Sequence, residues 1–432
     1  MKHGRKSEDR DDATPQRRGA KTERNMRPDP TQPPVRLFAI AVVVLAAALL
    51  VSWLVLAYFL MRAPMAVGYG RGLTVSAPAH HEQINGTWGT LEVTPIILDY
   101  PTSHTPFDFD LEPYRRWVFH DCTAADIRRQ LLDAGVSGRD AAGLLACLET
   151  NAAGGEAILR APDVIVAGFS PAVRNALYAR LAHDPANQPH IRPFMFRCET
   201  IEEWFAGSGV STEVLKKIRP LLYRRDNYLL FSDLQLVLPE ITSRFERVAL
   251  YRALHRTATL RVRVFAIDLS TRQAVRDYWG HPDRVSEIEP LLVAAADGMS
   301  VISFLPPFAR ERLYTYFESQ PNGDEARRDC NWSTLNFFNV PPDNSVTTNV
   351  IGILTQQYEV ITCPTQLGDV MLLFHGERLV HSCTYIAGDI VFTKNGIGTG
   401  NPFVLEKLED VQGRYRCIYG AIRTTFCRRK GI

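Results

Sequence analysis

The chain has 432 residues, of which 46% are hydrophobic and 22% charged. That excludes collagenous, low-complexity and wholly disordered classes and leaves ample apolar material for a core. A formal net charge of +2 gives no reason to expect nucleic acid as a partner.

The charge is unevenly placed. Residues 1–36 hold ten Lys/Arg against six Asp/Glu and read as a disordered basic tail. From Leu37 to Met61 no charge interrupts LFAIAVVVLAAALLVSWLVLAYFLM. A helix of that length reaches across the hydrocarbon core of a bilayer, and lipid leaves an isolated span no other way to satisfy its backbone. The basic flank predicts a cytoplasmic tail and an extracytoplasmic body. No small-x-small cleavage site follows the run, which favours an uncleaved anchor over a signal peptide. Residues 62–90, with many Gly, Pro, Ala and Ser, read as a linker.

Residues 91–309 look mainly helical. Thr123 and Asp126 open TAADIRRQLLDAGV in capping-box style. Ser170-Pro171 starts SPAVRNALYARLA with Pro in the first turn. TIEEWF, STEVLKKIRPLLYRR, ITSRFERVALYRALHR and SEIEPLLVAAAD continue the helical pattern. Thr259–Ile267 alternates with period two and reads as a strand. No catalytic signature falls in this region, and its role is not legible.

Beyond residue 310 the character changes. DCNWSTLNFFN predicts a short helix with PPDN as its breaker. GDVMLLF, ERLVHSCTYIA and DIVFTKN then follow as short apolar runs divided by turn residues, the pattern of an antiparallel meander. The expected fold is therefore α+β: a transmembrane helix, a mainly helical middle domain, and a C-terminal domain (310–432) with a helix on an antiparallel sheet.

Cys330, directly after Asp329, would begin that helix. There the helix dipole and unpaired N–H groups are expected to favour thiolate and to hold an oxyanion. His381 lies fifty-one residues later in an apolar run and is placed to serve as general base. The next strand offers Thr393 or Asn395 to orient the imidazole.

These residues resemble the bacterial NlpC-type cysteine peptidases, a permuted relative of the papain fold. Those enzymes have an Asp-Cys pair opening a helix, a Gly-Asp entering the first strand, a His on the second and a polar residue, usually His, on the third. The counterparts are Asp329-Cys330, Gly368-Asp369, His381 and Thr393, with Tyr385 at the usual aromatic position; the resemblance covers roughly residues 310–427. It implies a papain-like C-terminal domain cutting an amide through a thioester, with cell-wall peptide as candidate substrate. The chain departs from the family in having Asn331-Trp332 after the Cys and Thr393 for the third His. Trp332 and Asp329 are accordingly expected at the substrate groove.

The alternative is a catalytically silent envelope protein binding cell-wall peptide or a protein partner. No cofactor is implied, and no metal. Cys363, His375, His381 and Cys383 match no zinc spacing, and His80-His81-Glu82 lacks the second His of a helical zinc motif. Eight cysteines permit disulfides without requiring them. Cys383 reads as core or a disulfide partner, and CRRKGI as a solvated basic tail.

Overall fold

In a computed structural model of the chain, residues 73–74, 81–106, 116–151, 155–265, 271–317, 328–397 and 400–431 are described. The apolar run 37–61, and with it the expected membrane helix, lies outside them. Among the described residues no helix is long and apolar enough to cross a membrane.

The expected fold class needs correction, because the middle region is mixed α and β rather than mainly helical. Strands β1 (Leu73–Thr74), β2 (Glu82–Gly86) and β3 (Gly89–Leu98) begin the first sheet, so the stretch expected to be linker already carries a hairpin at 82–90. Gly89 sits at φ +93°, and a Cβ there would lie 2.7 Å from the Phe265 carbonyl, so the residue has to be glycine. A second small sheet takes β4 (Arg116–His120), β5 (Leu148–Asn151) and β6 (Glu156–Arg160) in the order β4-β6-β5. A third takes β7 (Phe194–Arg197), β8 (Tyr223–Arg225) and β9 (Tyr228–Phe231) in the order β7-β9-β8. β10 (Thr257–Phe265) then returns to the first sheet, antiparallel to β3 from Thr257↔Leu98 to Phe265↔Thr90, and β11 (Met299–Ser300) extends it.

The helices between them start where their caps dictate. α1 (Ala124–Asp133) has the full capping box on Thr123 and Asp126. α2 (Pro171–Leu181) is capped by Ser170 with Pro171 in its first turn, and α3 (Arg244–Leu254) by Ser243. α1 buries Ile127 and Leu131 completely, each worth roughly 1.5–3 kcal/mol of gross transfer energy. The expected long helix on STEVLKKIRPLLYRR is shorter: it stops at Ile218, and Tyr223 already belongs to β8.

The C-terminal region holds a six-stranded antiparallel sheet. Its strands are β12 (Tyr358–Ile361), β13 (Val370–His375), β14 (Arg378–Ala387), β15 (Ile390–Lys394), β16 (Phe403–Lys407) and β17 (Arg423–Arg429). Their order is β12-β17-β13-β14-β15-β16. CRRKGI is therefore no simple solvated tail, since its Cys-Arg-Arg lies in β17, between two other strands. Arg428 there makes a two-pronged ion pair with the buried Asp369, Nε to Oδ1 and Nη2 to Oδ2, both at 2.8 Å. Asp369 also accepts from the backbone N–H of Thr365 and Gln366.

Two helices cover the opposite faces of this sheet. α5 (Cys330–Leu335), after α4 (Val285–Ala294) in the chain, packs on the face of Leu372, Ile386 and Phe392. α6 (Leu408–Tyr419) packs on the face of Met371, Leu373, Cys383 and Val391 through Val411 and Tyr415. The α5 side shares one core with the first sheet, joining Leu91, Val93 and Val262 to Trp332, Val370 and Ile386.

The edge strand β16 is closed by two contacts. Thr315 and Tyr314 exchange backbone hydrogen bonds with Phe403 at 3.0 and 2.8 Å. The Thr259 hydroxyl of β10 donates to the Leu405 carbonyl at 2.8 Å and accepts from its N–H at 3.0 Å. Thr259 is buried, so Thr259→Val leaves two buried backbone groups without partners. It should cost about 1–3 kcal/mol, measured as a lower urea midpoint with an unchanged slope; an unchanged midpoint would show the contact to be dispensable.

Candidate active site around Cys330 and His381

Cys330 is the first residue of α5, with Asp329 as its N-cap. The Asp329 carboxylate accepts from the Trp332 N–H at 3.0 Å and from Asn331 Nδ2 at 3.1 Å. That carboxylate, half-buried, caps the helix. Trp332, expected with Asp329 at a substrate groove, is 2% exposed. Its indole N–H donates to Asn344 Oδ1 at 3.0 Å, and its ring packs against Phe308 and Phe317. It is a core residue.

The thiol is nearly enclosed, Cys330 being 6% exposed. Backbone groups of Ser382 and Asn331 and the charge of Lys394 favour its thiolate. Burial, helped by the Asp329 charge, nevertheless pushes the thiol up to about 12. The sequence argument expected the reverse. α5 is only six residues long, so its dipole is weak, and desolvation of the thiolate outweighs it.

His381 is fully buried in β14. Its Nε2 lies 2.9 Å from Thr393 Oγ1 of β15, its Nδ1 has no hydrogen-bond partner, and Tyr415 of α6 stacks on the ring at 4.3 Å. Burial, with Arg414 nearby, holds the imidazole down to about 3. Strand alternation accounts for its setting. Ser382 turns toward α5, its hydroxyl 2.9 Å from Asn331 Oδ1 and 3.2 Å from Thr334 Oγ1, so His381 turns the other way, toward α6. Cys330 thus meets the strand at the residue next to His381, and no thiol–imidazole hydrogen bond joins them.

Thr393, expected to orient the imidazole, lies within hydrogen-bond distance of it. Asn395 lies one step further, 3.4 Å from the Thr393 hydroxyl, with its Nδ2 2.7 Å from Glu406 Oε1 of β16. Sequence reasoning passed over Glu406, Tyr415 and Ser382, and gave Lys394 no role. Lys394 is fully buried, donates from Nζ to the Gly396 carbonyl at 3.1 Å, and is held down to about 8 by burial. The available signal was charge at inward strand positions: Lys394 and Glu406 interrupt apolar runs where a surface residue would not be placed.

The eight cysteines are all free thiols, and Cys383 is core. Among the described residues no group of His, Cys, Asp or Glu could hold a metal ion. His375 is exposed at the end of β13, beside the turn to β14. No protein-family model, curated protein or solved structure matches the chain.

At neutral pH the Cys330 thiol is protonated and the His381 imidazole neutral. With the thiol near 12, roughly one molecule in a thousand is ionised at pH 9. Cys330 should therefore resist iodoacetamide from pH 5 to 9 while the exposed Cys363 is modified, as followed by peptide mass spectrometry. Rapid labelling of Cys330 would contradict the enclosure. His381 gives the second check. Its folded value lies below the ordinary one, so the unfolded chain takes up the proton first. The stability contributed by the neutral ring is complete above about pH 6.5 and is lost as pH falls toward 3. His381→Phe should accordingly lose less stability than wild type between pH 7 and 4; parallel melting-temperature curves would contradict this.

Proposed function

We propose that the chain is a membrane-anchored, extracytoplasmic cysteine hydrolase that cuts an amide bond through a thioester. Residues 37–61 would supply the anchor. The observation that carries the reading is the state of His381. Its Nε2 is engaged by Thr393 while its buried Nδ1 is left without a partner, beside the residue whose backbone meets the Cys330 sulfur. A buried nitrogen without a hydrogen bond costs free energy, and a base that accepts a proton during turnover is a reason for retaining one.

In this reading Cys330 is the nucleophile and His381 takes its proton at Nδ1, then returns it to the leaving amine. Thr393 holds the ring. The ordered positions of Asp329-Cys330, Gly368-Asp369, His381 and Thr393 support membership of an NlpC-type lineage, and cell-wall peptide is the candidate substrate by that resemblance. The resting pair is neutral, so the thiol would ionise only once the site opens around an acyl group.

The closed site also favours a second reading, a silent relative that binds cell-wall peptide or an envelope protein. Cys330 and His381 are both buried, and Trp332 fills the core where a groove was expected.

Hydrolysis of cell-wall peptides by the full chain in detergent, followed by release of new amines, separates the two. The hydrolase reading expects turnover that Cys330→Ala abolishes and His381→Ala lowers about 10²–10⁴-fold. Equal peptide binding by wild type and Cys330→Ala, with no amine released by either, would sink it and leave the binding protein.

A further inference from the structure

The hydrogen bonds behind His381 continue past Thr393. Thr393 Oγ1 lies 3.4 Å from Asn395 Oδ1, the longest side-chain step before Glu406, and Asn395 Nδ2 lies 2.7 Å from Glu406 Oε1. Arg414 of α6 reaches the same Glu406 oxygen with Nη2 at 3.4 Å. His381, Thr393 and Glu406 are all buried, so bulk water does not compete freely for these positions.

We propose that Glu406 is a positioning residue that selects the tautomer of His381 through Asn395 and Thr393. The inference rests on the hydrolase reading for its purpose but not for its geometry. A carboxylate only accepts hydrogen bonds, so the Asn395 group facing Glu406 is its NH₂. That turns the Asn395 carbonyl oxygen toward Thr393, whose single hydroxyl proton then goes to Asn395. A hydroxyl donating there can only accept from His381, which places the ring proton on Nε2. The lone pair is left on Nδ1, the atom without a partner. On the hydrolase reading that lone pair would take the thiol proton of Cys330 once the site opens, while the other ring proton stays on Nε2, donated to Thr393.

Without Glu406 the opposite polarity would be equally self-consistent. If Asn395 rotated its amide by half a turn, its NH₂ would donate to Thr393, whose hydroxyl would donate to Nε2. The proton would then sit on Nδ1 and no base would be available there. The chain therefore has two states, and Glu406 is the group that makes them unequal. Burial raises the Glu406 carboxyl, while Arg414 and the Asn395 bond pull it back toward the ionised form. This relay takes the place of the third His that Thr393 replaces in the sequence.

The test is ¹H–¹⁵N correlation of histidine ring nitrogens in the full chain at pH 7, with the His381 signals assigned by their loss in His381→Phe. Wild type should show Nε2–H as the dominant form. Glu406→Leu should move the tautomer ratio at least tenfold toward Nδ1–H. Glu406→Gln, which keeps an oxygen able to accept from Asn395, should restore most of the wild-type ratio. Asn395→Leu breaks the relay at a different residue and guards against misfolding of one variant; it should reproduce the Glu406→Leu shift. A ratio unchanged in both leucine variants overturns the proposal. A shifted ratio in a protein that hydrolyses nothing keeps Glu406 in its positioning role and removes the hydrolase reading instead.

Discussion

A strand sends successive side chains to opposite faces, and in Arg378–Ala387 this period of two organises the C-terminal half of the molecule. Ser382 goes to the face covered by the short helix of Cys330, while His381 and Cys383 go to the face covered by Leu408–Tyr419. Each face has its own chemistry as a result. One carries hydroxyl and amide groups that lock the Cys330 helix to the sheet. The other carries an imidazole under a tyrosine ring, backed by Thr393, Asn395 and Glu406. A slip of one residue in this strand would exchange the two sets and leave His381 among the contacts of a helix with no place for it.

Burial dominates the electrostatics of these groups. A helix N-terminus and nearby backbone N–H groups lower a thiol's proton affinity, but a six-residue helix offers a small dipole and the sulfur is 6% exposed. Desolvation wins for Cys330, for His381 and for Lys394, each of which is displaced toward its neutral form. Asp369, also buried, has both oxygens answered, by two backbone N–H groups and by Arg428.

Capped helices and the alternating strand at Thr257–Phe265 were legible in the sequence, whereas the ten-residue strand Gly89–Leu98 was not. Thr123 and Ser170 announce their helices because a side-chain oxygen meeting a free N–H is a local event. The three strands Val370–Lys394 carry enough apolar residues between turns to be recognised. The two small sheets of the middle region were not legible. Their strands run three to five residues, too short for a period to declare itself, and Tyr228–Phe231 is buried throughout and does not alternate. Of the site, residue types and order were readable, as was the Thr393 contact. The depth of Cys330, the core role of Trp332 and the part of Glu406 depend on packing between elements far apart in sequence, which spacing does not encode.

The position of Arg423–Arg429 has a consequence for how the molecule is made. This strand follows the other five in the chain, yet it lies second in the sheet, between Tyr358–Ile361 and Val370–His375. A chain emerging from the ribosome therefore builds the His381 meander while one flank of Val370–His375 still shows an unpaired row of N–H and C=O groups. The strand Tyr358–Ile361 has nothing to join until the gap is filled. An open edge of this kind invites pairing with other chains, and its closure waits on contacts remote in sequence, which form slowly. The sheet is completed from within, so during synthesis its most exposed seam is a place that ends as interior.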